Sequence, residues 1–132
     1  MWIYMPSGYT NDVIPLICNE EATLCMYLVN NTLQGSVGDV TASGVTTIPA
    51  LSWTHVAMRF DAEGCNLDIY VNGSSSGAEA TVAGVAPVDW AAVARDVNIS
   101  SQIELYMGFN GNETFEGIVD EARIINYINA SN

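Results

Sequence analysis

Acid–base chemistry needs two groups brought to one bond, and few residues in this chain are placed to do it. Carboxylate pairs near each other in sequence include Glu20 with Glu21, Glu113 with Glu116, and Asp120 with Glu121. Sugar cleavage uses one acid as proton donor and a second carboxylate across the bond. Glu20 and Glu21 fall in a turn-like segment, and no third acid stands upstream of Glu113 and Glu116 to extend that pair. His55 is the single histidine, and no Ser, Cys or carboxylate is fixed beside it by spacing, so a triad is not expected. No Cys–His spacing suggests zinc. The reactive residue types therefore point to no catalytic residues and to a protein that is not an enzyme.

Three cysteines cannot form a closed disulfide framework. Cys18 and Cys25 flank NEEATL. If that segment is a hairpin turn the two stand opposite each other, close enough for a bridge. The sequence leaves a bridge and two small buried hydrophobes both open, and favours the second. Cys65 would then be a lone thiol.

The charge is lopsided, with 15 acids against three arginines, no lysine and a net charge of −12. A field of that sign repels phosphate backbones, so nucleic acid is not an expected partner. The acids are dispersed, as on a solvated acidic surface. A high-salt source or a cation-dependent surface is the sharper alternative. Hydrophobic residues make up 49% and charged residues 14%, which argues against disorder. No apolar run nears the ~20 residues of a membrane helix. The N-terminus MWIYMPSG lacks the basic n-region of a signal peptide. Asn30, Asn72, Asn98, Asn112 and Asn129 begin N-x-S/T sequons, several of which would arise by chance in a chain rich in Asn and Ser.

The elements that must position these residues are strands. Strand-like runs are Trp2–Met5, Val13–Cys18, Leu24–Asn30, Leu33–Val40, Val45–Ile48, Trp53–Asp61, Leu67–Val71, Gly77–Val85, Ile103–Phe109 and Gly117–Tyr127. Pro15 argues for an edge or a bulge in the second run. In Trp53–Asp61 the alternation puts Val56, Met58 and Phe60 on one face and His55, Ala57 and Arg59 on the other. Leu67, Ile69 and Val71 face inward, with Asp68 and Tyr70 outward, and Asn72-Gly73 suits a tight turn. Arg59 is placed to pair with Asp68 across this hairpin, an exposed pair worth little. Pro87–Arg95 is the one helical stretch, with Asp89 as its cap. The fold class is all-β, a two-sheet antiparallel sandwich in one domain spanning residues 1–132.

The blocks WTHVA (53–57), Phe60-Asp61 and LDIYVNG (67–73) resemble the central hairpin of laminin-G-like jelly rolls. Tyr106-Met107-Gly108 and GIVDEARI (117–124) resemble that family's later strands, in the same order and spacing. The chain is thus similar to the laminin-G-like, concanavalin A-like lectin and glucanase domains over most of its length. The resemblance implies a jelly-roll sandwich that opens at a later strand than usual. An uncovered edge strand, and hence a homo-oligomer or a larger parent polypeptide, is the expectation that follows.

It also implies sites. In related jelly rolls the Asp that matches Asp120 holds a structural calcium, so calcium is the cofactor the resemblance suggests; the plainer reading pairs that carboxylate with Arg123 or backbone amides. Sugar sites in such folds set an aromatic ring and polar groups at loop tips. The candidates are Tyr9 with Asn11 and Asp12, Trp90, and Asn110, Asn112 and Phe115. Each also reads as a core aromatic or a turn-forming residue, and that reading is favoured. The E-x-D-x-x-E run of the glucanase branch is missing. The expected function is a non-catalytic module that binds carbohydrate or glycoconjugate, outside the cell or on a particle surface. Its partner would be a glycan or a surface protein. The alternative is a structural or assembly domain of a surface, phage or mobile-element protein with no small ligand.

Overall fold

A computed structural model describes residues 1–8, 13–19, 24–38, 40–61, 66–80, 105–107 and 115–124. Among them are ten strands and no helix. These are β1 (Trp2–Tyr4), β2 (Val13–Asn19), β3 (Leu24–Val29), β4 (Thr32–Val37), β5 (Val40–Thr47), β6 (Trp53–Asp61), β7 (Asn66–Val71), β8 (Ser74–Ala80), β9 (Leu105–Met107) and β10 (Ile118–Asp120). All pairings are antiparallel. The hydrogen-bonded order is β10-β1-β6-β7-β8-β5-β4-β3-β2-β9.

That order folds over on itself into two antiparallel sheets. Gly35 on β4 faces Met58 on β6, although four steps of the order separate these strands; a Cβ on Gly35 would overlap the Met58 sulfur. Between the layers lie Ile3, Met5, Leu16, Leu28, Leu33, Val37, Val40, Ile48, Val56, Leu67 and Ile69, all essentially fully buried. Bulges help the order bend. Pro15 sits at one in β2, as its missing N–H requires. In β5, residues 44–46 bulge opposite Leu33. There a Cβ on Gly44 would lie 2.6 Å from the Leu33 carbonyl oxygen. The Thr46 N–H, out of the β4 ladder, donates to Ser76 Oγ at 3.2 Å.

Two hairpins turn on left-handed residues. Asn72 (φ 49°) and Gly73 (φ 77°) join β7 to β8, and Asn30 (φ 49°) and Asn31 (φ 61°) join β3 to β4. Both pairs are the residue types that tolerate positive φ. The β6–β7 hairpin has the expected inward faces, and Arg59 donates to Asp68 Oδ2 at 2.7 Å.

Elsewhere the structure corrects the sequence reading. Leu33–Val40 is not one strand, because the turn comes at Gly38 (φ 58°) rather than at Gly44. Accordingly Val45–Ile48 is the tail of β5 rather than a strand of its own. The strand expected from Gly77 begins at Ser74, directly after the two-residue turn. The closing strand ends at Asp120 because Glu121 adopts φ 50°, which breaks extended geometry. Cys18 and Cys25 do stand in register, with Cα atoms 4.1 Å apart, and are joined as a disulfide. β1 is not an open edge: it is hydrogen-bonded to β6 on one side and β10 on the other. The outermost described strands are β9 and β10. Pro87–Arg95, Cys65 and most of Ile103–Phe109 lie outside the described residues.

Candidate functional site: an aromatic lattice on the outer face

Strand parity and register together build a surface that neither gives alone. On β1 the Ile3 side chain enters the core, so Trp2 and Tyr4 point to the opposite, outer face. On β6 Thr54 and Val56 are buried, so Trp53 and His55 point outward as well. Register then sets them side by side. Tyr4 stands between Ile118 and Trp53, and Trp2 stands between Asp120 and His55. The result is two rows of three outward residues across β10, β1 and β6.

Each row contains one well-exposed indole and one half-buried ring that braces it. Trp53 is 45% exposed and meets Tyr4 at 5.6 Å between ring centroids, tilted by 50°. Trp2 is 37% exposed and meets His55 edge to face at 5.2 Å. Such tilted and T-shaped contacts are favourable for aromatic quadrupoles and fix the ring orientations. Ile118, also exposed, extends the apolar surface onto β10. The backbone beneath is held too. The His55 N–H donates to Asn72 Oδ1 at 2.9 Å, and the Asn72 N–H to the His55 carbonyl at 2.8 Å.

His55 is held below the ordinary imidazole range, first by burial, with help from the Met1 amino charge and against the pull of Glu121. It is thus neutral near pH 7. The unfolded chain takes up a proton near pH 6.5, whereas the folded chain does so at lower pH. Its contribution to stability is therefore complete above that value and falls away as the pH drops through the folded pKa. The thermal midpoint is expected to carry an acid-side loss below about pH 6.5 that His55→Gln removes, read by comparing melting curves of the two proteins across pH.

His55 and Asp120 lie on either side of Trp2 in one row, two strand spacings or about 9–10 Å apart, too far to share a proton. Asp120 is exposed, and its Oδ1 accepts the Glu121 N–H at 2.8 Å. A calcium ion takes six to eight oxygens. Among the described residues no three His, Cys, Asp or Glu gather as a metal site. Among the described residues Asp120 thus stands as one exposed carboxylate with one oxygen engaged by the backbone. Arg123 approaches Glu121, at 4.0 Å, rather than Asp120.

The other sequence-derived candidates are not brought to this surface. Phe115 is 7% exposed and belongs to the core. It packs where the chain enters β10, with Gly117 leaving room for its ring and for the Tyr4 carbonyl. A core ring is the reading the sequence favoured for Phe115 over a ligand-stacking one. Tyr9, Asn11, Asp12, Trp90, Asn110 and Asn112 lie outside the described residues. Sequence reasoning missed Trp2, Tyr4 and Trp53 as surface groups. The available signal was the parity of Trp53 with His55, which had already been placed opposite the core.

A laminin G family model, described as the concanavalin A-like lectin/glucanases superfamily, matches residues 1–129. No curated protein and no solved structure matches the chain. The sandwich, its hairpin and the matched span agree: the chain belongs to the concanavalin A-like lectin/glucanases superfamily as a laminin-G-like domain.

Proposed function

We propose that this domain is a non-catalytic binding module for carbohydrate or glycoconjugate, and that the outer-face lattice of Trp2, Tyr4, Trp53 and His55 is where the sugar lies. The observation that carries the reading is the pair of exposed, braced indoles. Aromatic faces stack on the C–H face of a sugar, and neighbouring polar groups fix its hydroxyls. Asp120 and His55 stand beside Trp2 to do the second job. A glycan array tests the proposal: saturable binding to a glycan that Trp53→Ala weakens about tenfold is expected, and an array with no saturable ligand would remove it.

The expected setting is extracellular or on a particle surface. No helix among the described residues is long and apolar enough to cross a membrane. Calcium at Asp120 remains part of the proposal, as the family resemblance suggests it. The expected outcome is a rise in thermal midpoint with added calcium that Asp120→Asn abolishes. An unchanged midpoint in both proteins would remove calcium from the account.

A further inference from the structure

We infer that the outer face is a track for an extended, uncharged glycan chain, rather than a socket for one terminal sugar. This rests on the reading that the face binds carbohydrate. Outward rows along β6 follow one another every second residue, about 6.8 Å apart. After the Tyr4–Trp53 and Trp2–His55 rows comes a third, Ala57 with Tyr70, and then Arg59 with Asp68. Aromatic groups therefore recur over three consecutive rows, a span of about 14 Å.

The two indoles stand on different strands and in different rows, as diagonal neighbours about 7–8 Å apart. Each has its own bracing ring, so they form two separate stacking faces and not one enlarged one. A single pyranose covers one of them; occupying both requires a second linked unit. Ala57 keeps the third row low, so a chain can continue past His55 to the Tyr70 ring. The Arg59–Asp68 ion pair, 2.7 Å, closes that end with charged groups already joined to each other.

Charge selects the chain. Asp120 borders the Trp2 row, Glu121 follows it, and Asp68 and Asp61 stand at the far end. Among the described residues the positive side chains are Arg59, bonded to Asp68, and Arg123, beside Glu121. With a net charge of −12 on the whole chain, a uronate or sulfated glycan meets repulsion. Equatorially substituted neutral pyranoses, which expose flat C–H faces, are the matching chemistry.

The test is calorimetric titration with β-1,4-linked glucose and N-acetylglucosamine oligomers, monomer to hexamer, against oligogalacturonate as the acidic control. Affinity is expected to rise about tenfold for each added stacked unit up to the trimer, the scale of one aromatic contact, and then to level off. Trp2→Ala should abolish the step from monomer to dimer, and Tyr70→Ala the step from dimer to trimer while sparing the dimer. Equal affinity for monomer and trimer, tighter binding of oligogalacturonate, or no binding of either neutral series would overturn the inference. The wild-type length series decides alone if Tyr70→Ala unfolds. The glycan array separately decides whether the face binds sugar at all, so the two failures are distinguishable.

Discussion

Replacing both exposed indoles, Trp2→Ala with Trp53→Ala, is expected to lower glycan affinity about a hundredfold while leaving the fold intact. Stacking one aromatic ring contributes about 0.5–1.5 kcal/mol beyond simple burial, and at the upper end of that range, near 1.4 kcal/mol, the effect is about tenfold. The two rings occupy different rows and stack different units, so their losses should nearly add. Each side chain is more than a third exposed and contributes little to the core, which makes a large stability loss unexpected. Far-ultraviolet circular dichroism and the thermal midpoint of the double variant check the fold, and calorimetry reads the affinity. Retained affinity in a folded double variant would move the ligand away from this face.

Ile3→Ala is expected to destabilise the domain by about 2–5 kcal/mol, the range for large-to-small substitutions in a packed core. Ile3 is fully buried and lies on a three-residue strand bonded on both sides, with Thr54 and Val119 as its register partners. Emptying that position leaves a cavity directly beneath Trp2 and Tyr4. Urea unfolding measures the cost. A loss below about 1 kcal/mol would show β1 to be a loosely held edge, at odds with the covered position described above. Because domains of this size are stable by only about 5–15 kcal/mol, the same change should also weaken ligand binding by loosening the lattice.

The comparison of sequence with structure divides along local and non-local lines. The β6–β7 hairpin, its inward residues, the Arg59–Asp68 pair, the Asn72-Gly73 turn and the Pro15 bulge were all legible, since each depends on residues near in sequence. Which of several glycines makes a turn was not. Gly38 and Gly44 look alike in sequence, yet Gly38 carries the positive φ and Gly44 sits in a bulge against the Leu33 carbonyl. Choosing between them needs the register of β4 on β5.

The lattice was hidden for the same reason. Parity alone places Trp53 with His55 and Trp2 with Tyr4. Only the pairing of β1 with β6, whose partners are about fifty residues apart, puts the four rings on one surface. A register slip of one residue would have sent Trp2 and Tyr4 into the core. Phe115, by contrast, takes the reading its sequence favoured, a core aromatic whose ring completes the core where β10 begins.

Sugar is proposed to be held on the outer face of β1 and β6. Nuclear magnetic resonance of the labelled protein during titration with a binding glycan tests it most directly. The indole N–H signals of Trp2 and Trp53 and the ring signals of His55 are expected to shift together and saturate at one affinity. Shifts confined to other residues, with these three unmoved at saturation, would contradict it.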